Sequence, residues 1–265
     1  MNAPLETSLL PYVVRDLRDG VVTLTLNRGE RFNPLSHAMI AALQAELDCI
    51  AIDAGVRSVV IAANGRGFCA GHDLKELRAH PDLAWQQELF SSCERLMLTL
   101  TRIPQPVIAR VHGLATAAGC QLVSMCDLAV AADTAAFGLP GVNVGVFCTT
   151  PAVGVARNIA RKRVMQLLLT GDSVDAATAL AWGLVNRVVP LVELDAAIAE
   201  LTLRIGSRSA RVIGHGKQTF YRQVDLGLAS AYDAVGGTMA CSLLDPDAHE
   251  GIDAFIEKRA PRWDD

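Results

Sequence analysis

At 265 residues, with 51% hydrophobic and 20% charged side chains, the chain is long enough to bury a full core as one large domain, with or without a small appendage. A formal net charge of −4 and scattered Lys and Arg residues exclude a nucleic-acid surface, and no apolar run approaches the roughly 20 residues that a membrane span needs. Residues Met1 to Gly20 carry Glu6, Asp16 and Asp19 and lack both the basic flank of a signal peptide and the Arg/Ser-rich pattern of a transit peptide, so a cytoplasmic location is expected. The seven cysteines stand singly at 49, 69, 93, 120, 126, 148 and 241, with no CxxC pair and no His spacing that suits a metal. They read as free thiols, most of them small buried apolar side chains.

In chain order, Val13 to Leu17 and Gly20 to Leu26 form a predicted hairpin turning on Asp19-Gly20. Asn33-Pro34-Leu35-Ser36 starts a helix that runs to about Asp53, with Met39, Leu43, Leu47 and Ile50 at helical spacing. Arg57 to Ala63 is a buried strand, a helix follows Asp73, and Trp85 to Arg102 is a long helix closed by Ile103-Pro104-Gln105-Pro106. Val107 to Val111 is a strand, Ala117 to Met125 a helix and Asp127 to Ala132 a strand. This strand-strand-helix rhythm gives an α/β class. From Ser173 onward the pattern reads as wholly helical: one helix opens at Ser173-Val174-Asp175-Ala176, and Leu194 to Ser207, Gly227 to Leu244 and Asp247 to Lys258 follow. The organisation is thus a core over residues 1–200 and a helical region over 201–265 that offers an oligomerisation surface.

Two loop-to-helix junctions carry chemical information. In Gly65 to Leu77 the chain leaves a strand, turns on Gly71 and enters a helix with Asp73 at its cap. Amides at such a helix start carry partial positive charge and receive an anion or a polarised carbonyl. In His112 to Gln121 a strand feeds a run of small residues and another helix, and small side chains let a ligand approach the backbone closely. Either junction alone is better read as tight packing with no ligand. No Gly-x-Ser-x-Gly elbow and no Gly-x-Gly-x-x-Gly fingerprint occurs, which argues against a serine hydrolase and a dinucleotide-binding fold.

Taken together and in order, Phe68-Cys-Ala-Gly-His-Asp-Leu-Lys-Glu76, His112-Gly113 with Ala117-Ala-Gly-Cys-Gln-Leu122 and Cys126-Asp-Leu128, and Phe137-Gly-Leu-Pro-Gly-Val-Asn-Val-Gly145 resemble the motifs of the crotonase (enoyl-CoA hydratase/isomerase) superfamily. The resemblance extends from Leu24-Thr-Leu-Asn-Arg28 to Glu250-Gly-Ile-Asp-Ala-Phe-Ile-Glu-Lys-Arg259, nearly the whole chain. Gly141 to Pro151 most resembles the enoyl-CoA hydratase domain-containing protein three subgroup. The resemblance implies a spiral of strand-strand-helix units with a C-terminal helical region, assembled as a homotrimer or homohexamer, acting on acyl-CoA small-molecule substrates with no cofactor beyond the coenzyme A of the substrate. It places the two oxyanion-hole amides at His72 and Ala118. Substrate-binding positions carried over in the same way are Arg28 at the nucleotide end, the run Ala70, His72, Asp73, Leu74 and Lys75 along the pantetheine or adenine, and Phe255 and Lys258 toward the nucleotide of a neighbouring site.

The family's two catalytic glutamates fall at Gln121 and Gly141, and neither residue transfers a proton. Each such acid/base role is worth ~10²–10⁴ in rate, so ordinary hydration is expected to be severely weakened. His72 is the best-placed substitute, with a solvent-facing or capping imidazole as the plain alternative. Asp73 and Glu76 also fit a helix first turn, Cys148 with Thr149 and Thr150 either meets the acyl group or packs a loop, Lys75 either meets a phosphate or covers a helix face, and His112 reads as a structural histidine. Three functions follow: a hydratase/isomerase with altered acid/base residues, a decarboxylase of a malonyl-type thioester, and a catalytically degenerate thioester-binding protein.

Overall fold

The structure is a computed structural model and describes residues 10–263. Strands β1 (Val13–Arg18) and β2 (Val21–Leu26) form the expected hairpin. Its two-residue turn has positive φ at both Asp19 (49°) and Gly20 (74°), the arrangement that matches strand twist. Helix α1 (His37–Ala51) is capped by the Ser36 hydroxyl, which accepts from the Met39 amide. It precedes β3 (Ser58–Ala63), whose six residues are all buried. Helices α2 (Leu74–Ala79) and α3 (Leu83–Arg102) follow, then β4 (Val107–Val111), β5 (Ala115–Thr116), α4 (Ala118–Met125), β6 (Leu128–Ala132) and β7 (Ala136–Gly138).

The strands sort into two sheets. The larger runs β1-β2-β3-β4-β6-β9, antiparallel only at the hairpin, and the smaller runs β5-β7-β8, where β8 is Ser173–Asp175 and β9 is Arg187–Val189. From β4 onward the pairs β4/β5, β6/β7 and β8/β9 each give one strand to the large sheet and one to the small, and the chain advances as a spiral. Alternation along the large sheet divides the interior in two: Leu24, Ile61, Ala109 and Ala131 face the main core, while Val60, Ile108 and Val130 face Leu194, Ala197 and Ile198 of α8 (Leu194–Gly206).

Beyond β7 the sequence reading needs correction. A 3₁₀ turn over Pro140–Val144 leads to α5 (Thr149–Val155) and α6 (Arg161–Thr170). Residues Ser173–Asp175 do not open a helix: they pair with β7, and Asp175 then caps α7 (Ala176–Trp182) through the Thr178 amide. The last third is not wholly helical, because β8 and β9 complete the two sheets; three-residue strands give too short a run for a period-2 pattern to show. Residue 200 lies inside α8, which packs on the large sheet. Helix α9 (Ala210–Gln223) lies where no element was expected, since Gly214 and Gly216 interrupt its helical signal. Helices α10 (Leu228–Ser242) and α11 (Pro246–Glu257) finish the chain, with no buried residue on α10 and only Asp247 and Ala254 on α11.

Candidate active site at the Gly71 turn and the start of helix α4

Four segments meet around Gly71. The Phe68 and Cys69 amides donate to the Leu114 carbonyl, the Thr116 amide to Cys69, and the Thr116 hydroxyl to Ala70, so residues 68–70 are zipped to 114–116. The Ala70 amide donates to Phe32 and the Leu35 amide to Gly71. Behind them, fully buried Asn33 accepts from the Arg28 amide at 2.8 Å and brings its Nδ2 to 2.8 Å from the Asn64 carbonyl and 3.1 Å from those of Gly67 and Phe68. Asn33 was not among the candidate residues. Its role comes from contacts 31 to 35 positions away, which no local pattern carries.

Gly71 has φ +93°, open to glycine and costly for other residues, and its neighbourhood leaves no room for a side chain. A Cβ there would lie 2.8 Å from the Ala117 Cβ and 3.3 Å from the Ala118 nitrogen. The turn thus lies directly against the first residue of α4. Ala117, the N-cap, has φ 49° and ψ −121°, a strained conformation for a residue with a Cβ, held by its amide donating to Gly138. Such strain costs on the order of 1–3 kcal/mol, and here it turns the chain so that α4 starts beside Gly71. Among the described residues, neither the His72 amide nor the Ala118 amide has a backbone or side-chain acceptor. Gly119 permits this approach: a Cβ on it would overlap the Cys69 carbonyl oxygen and lie 2.8 Å from the Cys69 Cβ.

The expected site residues fall into three groups. His72, Ala118 and Gln121 lie at this junction; Ala118 and Gln121 are on one face of α4, and Gln121 is 6% exposed with a buried Oε1 that has no partner among the described residues. Gly141 lies in the 3₁₀ turn against the loop that follows it: a Cβ would overlap the Val146 carbonyl oxygen and sit 2.8 Å from Cys148 Sγ. Cys148, buried, is the N-cap of α5, and burial pushes its thiol above the usual range, so it stays protonated. Burial likewise pushes Cys69 and Cys120 up to about 12, in keeping with inert packed thiols.

In the second group, Asp73 is the cap of α2, its Oδ1 accepting from Lys75 at 3.0 Å and Glu76 at 3.3 Å while Oδ2 pairs with Arg31 at 2.7 Å. Glu76 accepts from the His37 amide. Ala70, Leu74 and Lys75 are exposed on the outer side of the turn. In the third group, Arg28 is 8% exposed and directed away from solvent: its guanidinium donates to the carbonyls of Leu10, Pro11 and Asn27 and stacks on Tyr12 at 3.9 Å. Phe255 and Lys258 are exposed at the far end of α11. His112 Nε2 donates to the Gly65 carbonyl (2.9 Å), and its buried Nδ1 has no partner among the described residues. Among the described residues no group of His, Cys, Asp and Glu could hold a metal ion, and no helix is long and apolar enough to cross a membrane.

A two-sheet spiral finished by C-terminal helices is the crotonase class of fold. The family model for enoyl-CoA hydratase/isomerase matches residues 16–265, and the chain belongs to that family. It is similar to enoyl-CoA hydratase domain-containing protein 3, mitochondrial, of Xenopus laevis, at 42% identity over 99% of this chain and 90% of the relative. Among solved structures it is similar to an enoyl-CoA hydratase of Mycobacterium smegmatis, with TM-score 0.94 and 51% identity over 96% of this chain and 99% of that one. It is also similar to the human enoyl coenzyme A hydratase domain-containing protein 3, with TM-score 0.92 and 41% identity over 95% and 100% of the two chains. The expected cytoplasmic location is corrected by these comparisons, since the Xenopus, rat, mouse and human relatives are named as mitochondrial proteins. That expectation rested on the lack of a leader pattern in Met1 to Gly20, and a missing pattern carries no positive address; residues 1–9 lie outside the described residues.

Proposed function

We propose that the protein is an acyl-coenzyme A thioester enzyme of the hydratase/isomerase type that works through an enolate, with the amides of His72 and Ala118 as its oxyanion hole. The observation that carries this reading is the close approach of the Gly71 turn to the start of α4, with both amides unengaged. As a bond at the α-carbon breaks, negative charge moves to the thioester oxygen, and two fixed donors stabilise it there; one such donor is worth about 10²–10³ in rate. Coenzyme A enters as part of the substrate. The exposed run of Ala70, Leu74 and Lys75 is positioned to meet the pantetheine or a phosphate, and Phe255 and Lys258 extend toward a neighbouring subunit's nucleotide. Arg28 shapes the loop at the nucleotide end rather than meeting a phosphate, its side chain being engaged by the carbonyls of Leu10, Pro11 and Asn27.

The assembly is a homotrimer or homohexamer in which the spiral, with α8 packed on its large sheet, forms the core and the helices after α8 supply the contact. Support comes from the apolar side chains left exposed on α9, α10, α11 and the connection before α11, including Phe220, Leu228, Tyr232, Leu244 and Ile256.

Gln121 and Gly141 leave hydration without its usual proton-transfer groups. The test is a panel of crotonyl-CoA, a 3-enoyl-CoA and methylmalonyl-CoA with the wild type and Gln121→Glu. Gly141→Glu is not a useful partner, because its Cβ would collide with the Val146 carbonyl. Gln121→Glu is expected to raise crotonyl-CoA hydration. Hydration by the wild type as fast as by glutamate-bearing relatives refutes the argument from the missing carboxylates. The neutral surroundings of Gln121, Gly141 and protonated Cys148 favour one second reading, decarboxylation of a malonyl-type thioester, because loss of carbon dioxide generates the enolate without a base. Conversion of methylmalonyl-CoA alone in the panel supports it, and affinity without turnover of any thioester supports a binding protein.

A further inference from the structure

We infer that the imidazole of His72, acting through Nε2, is the group that removes and returns the substrate proton at this site, an assignment that rests on the enolate reading above. Nδ1 lies 3.0 Å from the Leu35 carbonyl oxygen. A carbonyl only accepts, so Nδ1 carries the hydrogen and Nε2 is left as the nitrogen with the free lone pair. Nε2 is buried and has no hydrogen-bond partner among the described residues, while the residue as a whole is only half-buried. A buried acceptor without a partner is rare in folded proteins and calls for a cause. The ring is held from a second side by Phe90 of α3, edge to face at 5.1 Å and 78°. Its orientation is therefore fixed, and the one unused atom is the basic one.

Elimination leads to the same atom. Gln121 carries an amide that does not titrate, Gly141 has no side chain, and Cys148 is kept protonated by burial. Asp73 is engaged by two amides and Arg31, and Glu76 by the His37 amide. Of the residues that meet at the turn, His72 presents a basic atom that is buried and without a partner among the described residues, and the same residue contributes the first oxyanion amide. The groups facing the ring are the Leu35 carbonyl before α1, Glu76 on α2 and Phe90 on α3. Burial pushes the imidazole below its usual 6.5, outweighing the Leu35 bond and the Glu76 carboxylate, so the free base is present at neutral pH.

In the step itself, the Nε2 lone pair takes a proton from the thioester α-carbon. The C–H pair becomes the carbon–carbon π bond of the enolate, and the carbonyl π pair moves to the oxygen held by the amides of His72 and Ala118. His72 becomes an imidazolium, still donating from Nδ1 to Leu35. Return of the proton to the α-carbon regenerates the thioester. With a 3-enoyl thioester, return to the γ-carbon moves the double bond to the 2-position; either return restores the neutral ring.

The test follows exchange of the α-hydrogens of butyryl-CoA for deuterium in D₂O by mass spectrometry, alongside direct measurement of butyryl-CoA binding. His72→Asn keeps a donor for Leu35 at the Nδ1 position and has nothing at Nε2; His72→Gln serves as second variant, and thermal melting shows that each is folded. The expected result is exchange by the wild type, slower by about 10²-fold or more in both variants, with thioester binding retained because the backbone amide is unchanged. The wild-type rate is further expected to fall as the medium is acidified below about pH 6.5, a limb absent from the residual rate of the variants. Exchange by either folded variant at the wild-type rate overturns the assignment and leaves the enolate reading standing. Binding of butyryl-CoA by the wild type without any exchange overturns both.

Discussion

Glycines 71 and 119 and Ala117 decide how closely the Gly71 turn meets the start of α4, each for a different reason. Gly71 supplies a left-handed backbone, Ala117 endures a similar one with a methyl group attached, and Gly119 leaves room for the Cys69 carbonyl. Gly119→Ala is expected to force α4 away from Cys69, at a cost of about 1–3 kcal/mol in stability, together with loss of thioester binding. Chemical denaturation and a binding titration check the two effects, and unchanged binding would separate the α4 start from the site. Two histidines add a dependence on pH. Burial is the main cause that lowers both His72 and His112 below the usual 6.5. Between those depressed values and 6.5 the unfolded chain binds more protons than the folded one, so stability rises with pH through this window. Thermal melting is thus expected to show stability falling as the medium is acidified below about pH 6.5, with a shallower slope in His112→Asn, whose ring is outside the site. Both junctions were visible in the sequence, the first as a turn on Gly71 before a capped helix and the second as a run of small residues. That Ala117 is strained and that Asn33 underlies the turn were not, because each depends on a partner far away in the chain.

At the level of elements, α9 is tied to the spiral by one buried cation. Lys217 pairs with Asp127 at 2.6 Å and donates to the carbonyls of Leu100 (2.7 Å) and Gln105 (2.8 Å), joining the helix to the end of α3 and the start of β6. Burial pushes the Lys217 ammonium down and the Asp127 carboxylate opposes it, so the charge persists through its partners. Replacing Lys217 by Met leaves the Asp127 carboxylate without its counter-ion, and a loss of about 3–5 kcal/mol is expected in equilibrium unfolding. A double variant that also replaces Asp127 by Asn is expected to recover part of it, and no recovery would mean that packing, not charge, was lost. Lys217 carried no signal in the sequence, since α9 itself was not recognised across Gly214 and Gly216. Helices with clear caps were legible: Ser36 before α1 and Asp73 before α2 both accept from the amides that their spacing requires.

For the whole molecule, the exposed apolar side chains concentrate on the last three helices, where α10 buries nothing in the single chain. Sedimentation equilibrium is expected to find trimers or hexamers, and Leu228→Glu with Leu244→Glu is expected to shift the protein toward monomer; a monomeric wild type would sink the assembly reading. By itself the sequence determined the hairpin, the strand-strand-helix order and the two junctions, because apolar period, turn residues and caps act over a few neighbours. It also gave up the neutral identities of Gln121 and Gly141, since a residue's type is read without any fold. Only the tertiary structure decided that Ser173–Asp175 and Arg187–Val189 are strands, that the loop at Val146 and Cys148 fills the place of a side chain at Gly141, and that His72 Nε2 is left unpaired. Strand pairing, excluded volume and the direction of a ring are set by residues distant in the chain, and such contacts exist only once the spiral has closed.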